Sequence, residues 1–220
     1  MAQVFNPRAN LLVKVSILGI FLTLAVLIGV WMFLSRSDYM KQVGEDYEIE
    51  QPVPFSHTLH VTSFGINCQY CHNGVAESGY SNVPATETCM GCHSHIATDS
   101  RLLQPVRDSW ANDTPVEWNK VTKVPDYVYF NHSIHVNKGV GCSTCHGDVA
   151  NMNVVYRSEP MYMSWCLNCH RNPELYVRPQ EEIYNTSYEH PPNQLELGRQ
   201  LVEQYGIETD NLSNCSICHR

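Results

Sequence analysis

Phe55-Ser56-His57-Thr58-Leu59-His60, followed by Cys68-Gln69-Tyr70-Cys71-His72, is the stretch that decides how this chain folds. It recurs as Phe130-Asn131-His132-Ser133-Ile134-His135, followed by Cys142-Ser143-Thr144-Cys145-His146. His60 stands eight residues before Cys68, and His135 seven before Cys142. Each copy continues to a second C-x-x-C-H motif, at Cys89, Cys92 and His93 in the first and at Cys166, Cys169 and His170 in the second. A fifth motif, Cys215, Cys218 and His219, stands alone near the C-terminus. All ten cysteines fall in these five motifs, so none is left over for a structural disulfide.

Two cysteines three apart with a histidine directly after them are the signature of covalently attached haem c. The thiols form thioethers to the porphyrin, and the histidine sits beneath the iron. Zinc would pair C-x-x-C units in tetrahedral sites and would not need a histidine after each. The spacing therefore predicts five haem c groups. They are attached at Cys68, Cys71, Cys89, Cys92, Cys142, Cys145, Cys166, Cys169, Cys215 and Cys218, with His72, His93, His146, His170 and His219 as proximal iron ligands. Five haems in 220 residues is one per 44, so few side chains lie far from a porphyrin. The expected fold is a multihaem cytochrome c with little regular secondary structure, short helices around stacked haems, and one N-terminal transmembrane helix.

F-x-H-x-x-H reads as one helical turn. Histidines at i and i+3 project to the same side at an angle, so the two can serve different haems. His57, His60, His132 and His135 are accordingly candidate distal ligands. His95 either turns back to another haem or stays in solvent. His190, held by Pro191 and Pro192, suits a rigid distal loop. Met163 and Met161, just before Cys166, offer a thioether ligand that would raise one haem's potential. Packing against porphyrin is the alternative for both methionines.

Val15 to Leu34 is twenty residues without a charge, long enough at 1.5 Å per residue to cross about 30 Å of bilayer. A cleaved signal peptide would have a shorter apolar run and a small-x-small site. Arg8 and Lys14 precede the run, and Arg36, Asp38 and Lys41 follow it. The positive-inside rule then favours a cytoplasmic N-terminus, which also places the haem motifs outside, in a bacterial periplasm or its equivalent. The expected layout is a cytoplasmic N-terminus at 1–14, the anchor at 15–34 and a connector at 35–54. A two-haem module at 55–97, a linker at 98–129 and a second two-haem module at 130–172 come next, then a C-terminal segment with the fifth haem at 173–220. The linker should hold a short helix around Asp99 to Ala111. Arg171 to Pro192 reads as a surface wrap. Leu197, Leu201 and Tyr205 give an amphipathic helix over Leu195 to Tyr205, stopped by Gly206.

The chain carries a formal charge of −8, and all 22 acidic residues lie at or after Asp38. The extracytoplasmic part is therefore strongly acidic, which argues against nucleic acid or anionic lipid surfaces as partners. Potential distal ligands equal or exceed the haems, and no acid–base cluster stands apart from the haem motifs. Both points favour an electron conduit over a catalyst.

The F-x-H-x-x-H modules resemble class III cytochromes c and their three-haem relatives. That resemblance implies that His57 binds the haem of His72 and His132 that of His146, with His60 and His135 reaching other haems. The whole chain is similar to the pentahaem cytochrome c subunits of bacterial alternative complex III. The likeness rests on one anchor, five C-x-x-C-H sites, the Met161-to-His170 stretch and a final site after an amphipathic helix. It implies a place in a quinol:electron acceptor oxidoreductase of the cytoplasmic membrane. The partners would be an iron–sulfur subunit, polytopic quinol-oxidising subunits, and a downstream cytochrome c or terminal oxidase. It also implies one Met/His haem among bis-His ones. The rival readings are an anchored donor to a periplasmic reductase and a small multihaem reductase.

Overall fold

The computed structural model describes residues 6–35 and 43–219. Residues 1–5 of the expected N-terminal segment lie outside the described residues. So do residues 36–42 of the connector, with the flanking charges Arg36, Asp38 and Lys41. The chain divides into two units, Met1–Gln42 and Val43–Arg220.

The described residues of the first unit form one helix, α1 (Pro7–Ser35). It starts earlier than the uncharged run because Pro7 suits a first helical turn, where a missing N–H costs nothing. Arg8–Leu34 within it is long and apolar enough to cross a membrane, and none of it is buried in protein. Thr23, the hydroxyl in its middle, donates to the Gly19 carbonyl at 2.9 Å, so its polar atom finds a partner within the helix. α1 is consistent with a single membrane-spanning anchor.

The second unit is helical, without a β-sheet among the described residues. It is built from a π-helical turn α2 (Thr58–Ser63) and the helices α3 (Cys68–Cys71), α4 (Thr86–His93), α5 (Gln104–Asn112), α6 (His132–Asn137), α7 (Cys142–His146), α8 (Met163–Arg171), α9 (Gln194–Gln204) and α10 (Cys215–Cys218). Two isolated antiparallel bridges join distant segments, Val128 with His219 and Val140 with Val177.

The linker helix begins later than the sequence suggested. Arg101–Leu103 forms a 3-10 turn, and α5 starts at Gln104 with Pro105 in its first turn. Asp113, in the left-handed region at φ 50°, ends it. The amphipathic C-terminal helix appears as α9, with Leu201 buried and Gly206 at φ 57° just past its end.

The expectation that residues 171–192 wrap the surface misses the residues by which the segment enters the core. Val177 and Ile183 are the most completely buried side chains, and Arg178 is 2% exposed. Ile183 packs with Val75 and Val136, one from each half of the repeat. The segment lacks periodicity because it enters the core through separate residues, not through one helical face. α9 closes over it, and a Cβ on Gly198 would overlap the Glu174 carbonyl, so only glycine permits that approach.

Candidate haem sites

All five C-x-x-C pairs are helical, in α3, α4, α7, α8 and α10, which sets each pair of thiols at i and i+3 on one face. Asn67 and Asn214 start α3 and α10 as N-caps, their side chains accepting from the Gln69 and Ser216 backbone N–H groups. The cap fixes the first turn, and the first turn fixes the thiols.

Four of the five motif histidines are oriented by backbone carbonyls. Nδ1 of His72 donates to the Asn82 carbonyl at 2.7 Å, that of His93 to Ile96 at 3.0 Å, that of His170 to Leu212 at 2.8 Å and that of His219 to Tyr127 at 3.2 Å. A carbonyl can only accept, so Nδ1 carries the proton and Nε2 keeps its lone pair for a metal.

The two F-x-H-x-x-H turns are built alike. Phe55 stacks on His60 with centroids 4.3 Å apart, and Phe130 stacks on His135 at 4.5 Å. The same phenylalanines meet His57 and His132 edge-on at 4.9 and 4.7 Å. Nδ1 of His60 donates to the Ser56 carbonyl at 2.8 Å, and that of His135 to Asn131 at 2.7 Å. One phenyl ring thus sets both imidazoles of its turn, a role that the alignment of Phe55 with Phe130 hints at but does not state.

These turns bring imidazoles opposite motif histidines. His60 faces His93 with centroids 6.1 Å apart, His132 faces His146 at 6.5 Å and His135 faces His170 at 6.1 Å. Metal–imidazole bonds of about 2 Å on each side, plus about 1 Å from each nitrogen to its ring centre, put two imidazoles on one metal about 6 Å apart. The donor set therefore fits an iron between each pair, with thiols beside it to hold a macrocycle. His57 lies near His72, whose charge, after burial, helps hold His57 down to about 4. Burial, then His132 and His72, lowers His146 likewise to about 4. Both imidazoles are therefore unprotonated near neutrality. Nδ1 of His57 is buried with no hydrogen-bond partner among the described residues.

His95 and His190 are exposed, and among the described residues neither ring faces a motif histidine. His190 meets only Tyr188, edge-on at 5.5 Å. Met163 is exposed at the start of α8, and Met161 holds a left-handed backbone at φ 53°, costly for a residue with a Cβ. The structure thus gathers His57, His60, His132 and His135 about motif histidines, and among the described residues it shows no such ring pairing for His95 or His190.

Arg178 is a supporting residue that no motif announces. It donates to Ser143 Oγ at 3.2 Å and Thr144 Oγ1 at 3.1 Å, the two residues between the thiols of the third motif. It also donates to the Asn185 carbonyl at 3.1 Å and lies 4.6 Å from the Tyr188 ring centre. Burial lowers its pKa.

The family described as cytochrome c7 and related cytochrome c matches residues 53–108 and 128–220. The chain belongs to this family. Both stretches contain the repeated turn, and together they take in every C-x-x-C-H motif of this cytochrome. A protein described as the multiheme cytochrome c subunit of menaquinone reductase from Nitratidesulfovibrio vulgaris is 28% identical over 172 residues, which cover 69% of this cytochrome and 78% of that protein.

Proposed function

We propose that this chain is the electron-transfer subunit of a quinone-linked membrane complex and that it carries five c-type haems, as the pentahaem subunit of an alternative complex III. The observation that carries the reading is the set of three imidazole pairs at single-iron separation, each formed between a repeated turn and a C-x-x-C-H motif.

Each thiol pair forms the thioethers of one haem, and the following histidine binds its iron. His60 serves the site of His93, His132 that of His146 and His135 that of His170. Proximity of His57 to His72 supports that pair for the first site. The modules then follow the class III pattern for their first histidines. Site five, at His219, draws its second ligand from His95, His190, Met161 or Met163, and a methionine there would give a haem of higher potential. Bound haem supplies a reversible one-electron iron couple. The chain contributes thioether attachment, imidazoles kept neutral by burial, Nδ1 protons held on carbonyls, and phenyl rings that fix the plane of each turn imidazole.

In this reading α1 anchors the chain in the bacterial cytoplasmic membrane with the N-terminus inside and the haem-bearing unit outside. Polytopic subunits oxidise quinol, an iron–sulfur subunit passes electrons on, and a downstream cytochrome c or terminal oxidase receives them. The test is native mass spectrometry of the complex from gently solubilised membranes. The expected result is an assembly with polytopic and iron–sulfur subunits, in which the denatured chain weighs its polypeptide plus five haems. A free chain, or one bound only to a soluble reductase, overturns the reading and favours the anchored donor.

The relative from menaquinone reductase favours a second direction of flow, with electrons arriving at this chain and passing to the quinone-binding subunits. Mixing the purified complex with menaquinol and following haem absorbance separates the two. Rapid haem reduction by quinol supports outward flow. Haems that stay oxidised with quinol, yet once reduced are reoxidised by menaquinone, support the reverse.

A further inference from the structure

We infer that the five attachment sites are strung in the spatial order second, first, third, fourth, fifth, so that the sites of Cys89/Cys92 and Cys215/Cys218 are the two ends and the first site in sequence is interior. This rests on the five-haem reading above and adds the order to it.

Four joints give the order. The turn at α2 carries His57 and His60 side by side, and His60 faces His93, so one turn ties the first site to the second. The turn at α6 does the same for the third and fourth sites, His132 facing His146 and His135 facing His170.

The joint between the modules is an exchange. The His132 backbone N–H and Nδ1 both donate to the carbonyl of Gly79, in the loop that follows the first motif. The His57 and Thr58 N–H groups both donate to the carbonyl of Met152, in the loop that follows the third. Each turn therefore docks on the other module's loop, which draws the first and third sites together. The last joint links the fourth and fifth sites. His170 is held by the Leu212 carbonyl at 2.8 Å, in the segment leading into α10.

The ends are marked independently. Of the ten cysteines, Cys92 and Cys215 alone are exposed, one in the second site and one in the fifth. Ile96 beside the second site and Tyr127 beside the fifth are 62% and 64% exposed. In this order the second and fifth sites are where a redox partner would dock, and the first site lies between its neighbours.

The test uses the haem-loaded full chain in its native membrane assembly. Denaturing mass spectrometry first counts the haems, and cryo-electron microscopy then locates five irons, each assigned by its thioethers to a cysteine pair. The expected nearest-neighbour pairs are second–first, first–third, third–fourth and fourth–fifth. Five irons running in sequence order, or a first-site iron at an end, overturns the order and leaves the five-haem reading standing. Fewer than five haems by mass overturns that reading itself.

Discussion

The turn at residues 55–66 and the turn at residues 130–140 do the same work with different backbones. In the second, α6 ends in a Schellman motif. The Val140 N–H reaches the His135 carbonyl at 2.9 Å and the Gly139 N–H reaches Val136 at 3.2 Å, with Gly139 at φ 84°. In the first, one more residue must fit between His60 and its cysteine. The turn widens to a π-helix, and the equivalent bonds run from Ile66 to His60 at 3.0 Å and from Gly65 to Val61 at 2.9 Å, with Gly65 at φ 69°. An insertion absorbed as a π-turn leaves the Phe–His–His geometry intact, which agrees with the placing of π-turns at functional sites. The surroundings differ more than the turns do. A Cβ at Gly139 would meet Tyr205 and the Arg178 carbonyl, whereas one at Gly65 meets nothing.

The largest way to test the likeness is to remove one imidazole from each turn. His60→Ala and His135→Ala should each convert one haem to the high-spin state, seen by magnetic circular dichroism of the oxidised protein. An unchanged low-spin spectrum in either variant breaks the equivalence. Next come the glycines. Gly65→Ala should cost about 1–2 kcal/mol, the left-handed penalty alone. Gly139→Ala should cost about 3 kcal/mol or more, because crowding adds to it. Thermal unfolding of the two variants checks this, and equal losses would show that the surroundings do not matter. Smaller still, Phe55→Leu and Phe130→Leu should each lose about 1 kcal/mol of aromatic packing and leave every haem low-spin. A high-spin signal in either would make the phenyl ring essential to ligation. The finest difference needs no substitution. The His132 and His146 planes are 8° apart and those of His60 and His93 are 64° apart. Electron paramagnetic resonance of the oxidised protein should contain both a rhombic low-spin signal from near-parallel imidazoles and a more anisotropic one from crossed imidazoles. One type alone would contradict the geometry.

Much of this was legible in the sequence. The five motifs, the repeated turn, the apolar helix and the Leu197–Leu201–Tyr205 stripe are local patterns, and local patterns survive without coordinates. The eight-versus-seven spacing was visible too, but the π-turn that absorbs it depends on which carbonyls the amides choose. The burial of Val177, Arg178 and Ile183 was not legible, because it depends on partners far along the chain. Ile183 accepts through its carbonyl from the Cys142 N–H at 3.1 Å, and Arg178 reaches back to Ser143 and Thr144. Nor was the role of Gly198 legible, the place where α9 meets the Glu174 carbonyl. Of the distal candidates, the four in repeated turns could be ranked by pattern. His95, His190, Met161 and Met163 had no repeat to rank them.

The exchange of turns between Gly79 and Met152 bears on how such a chain could be made from simpler ones. Two copies of a one-module protein, paired about a two-fold axis with each turn resting on the other's loop, would form the same contacts. Joining the copies end to end turns a subunit interface into an interior seam and adds no new surface that must be invented. Such a fusion frees the two halves to diverge, and a single inserted residue in one of them is the kind of change that the seam tolerates.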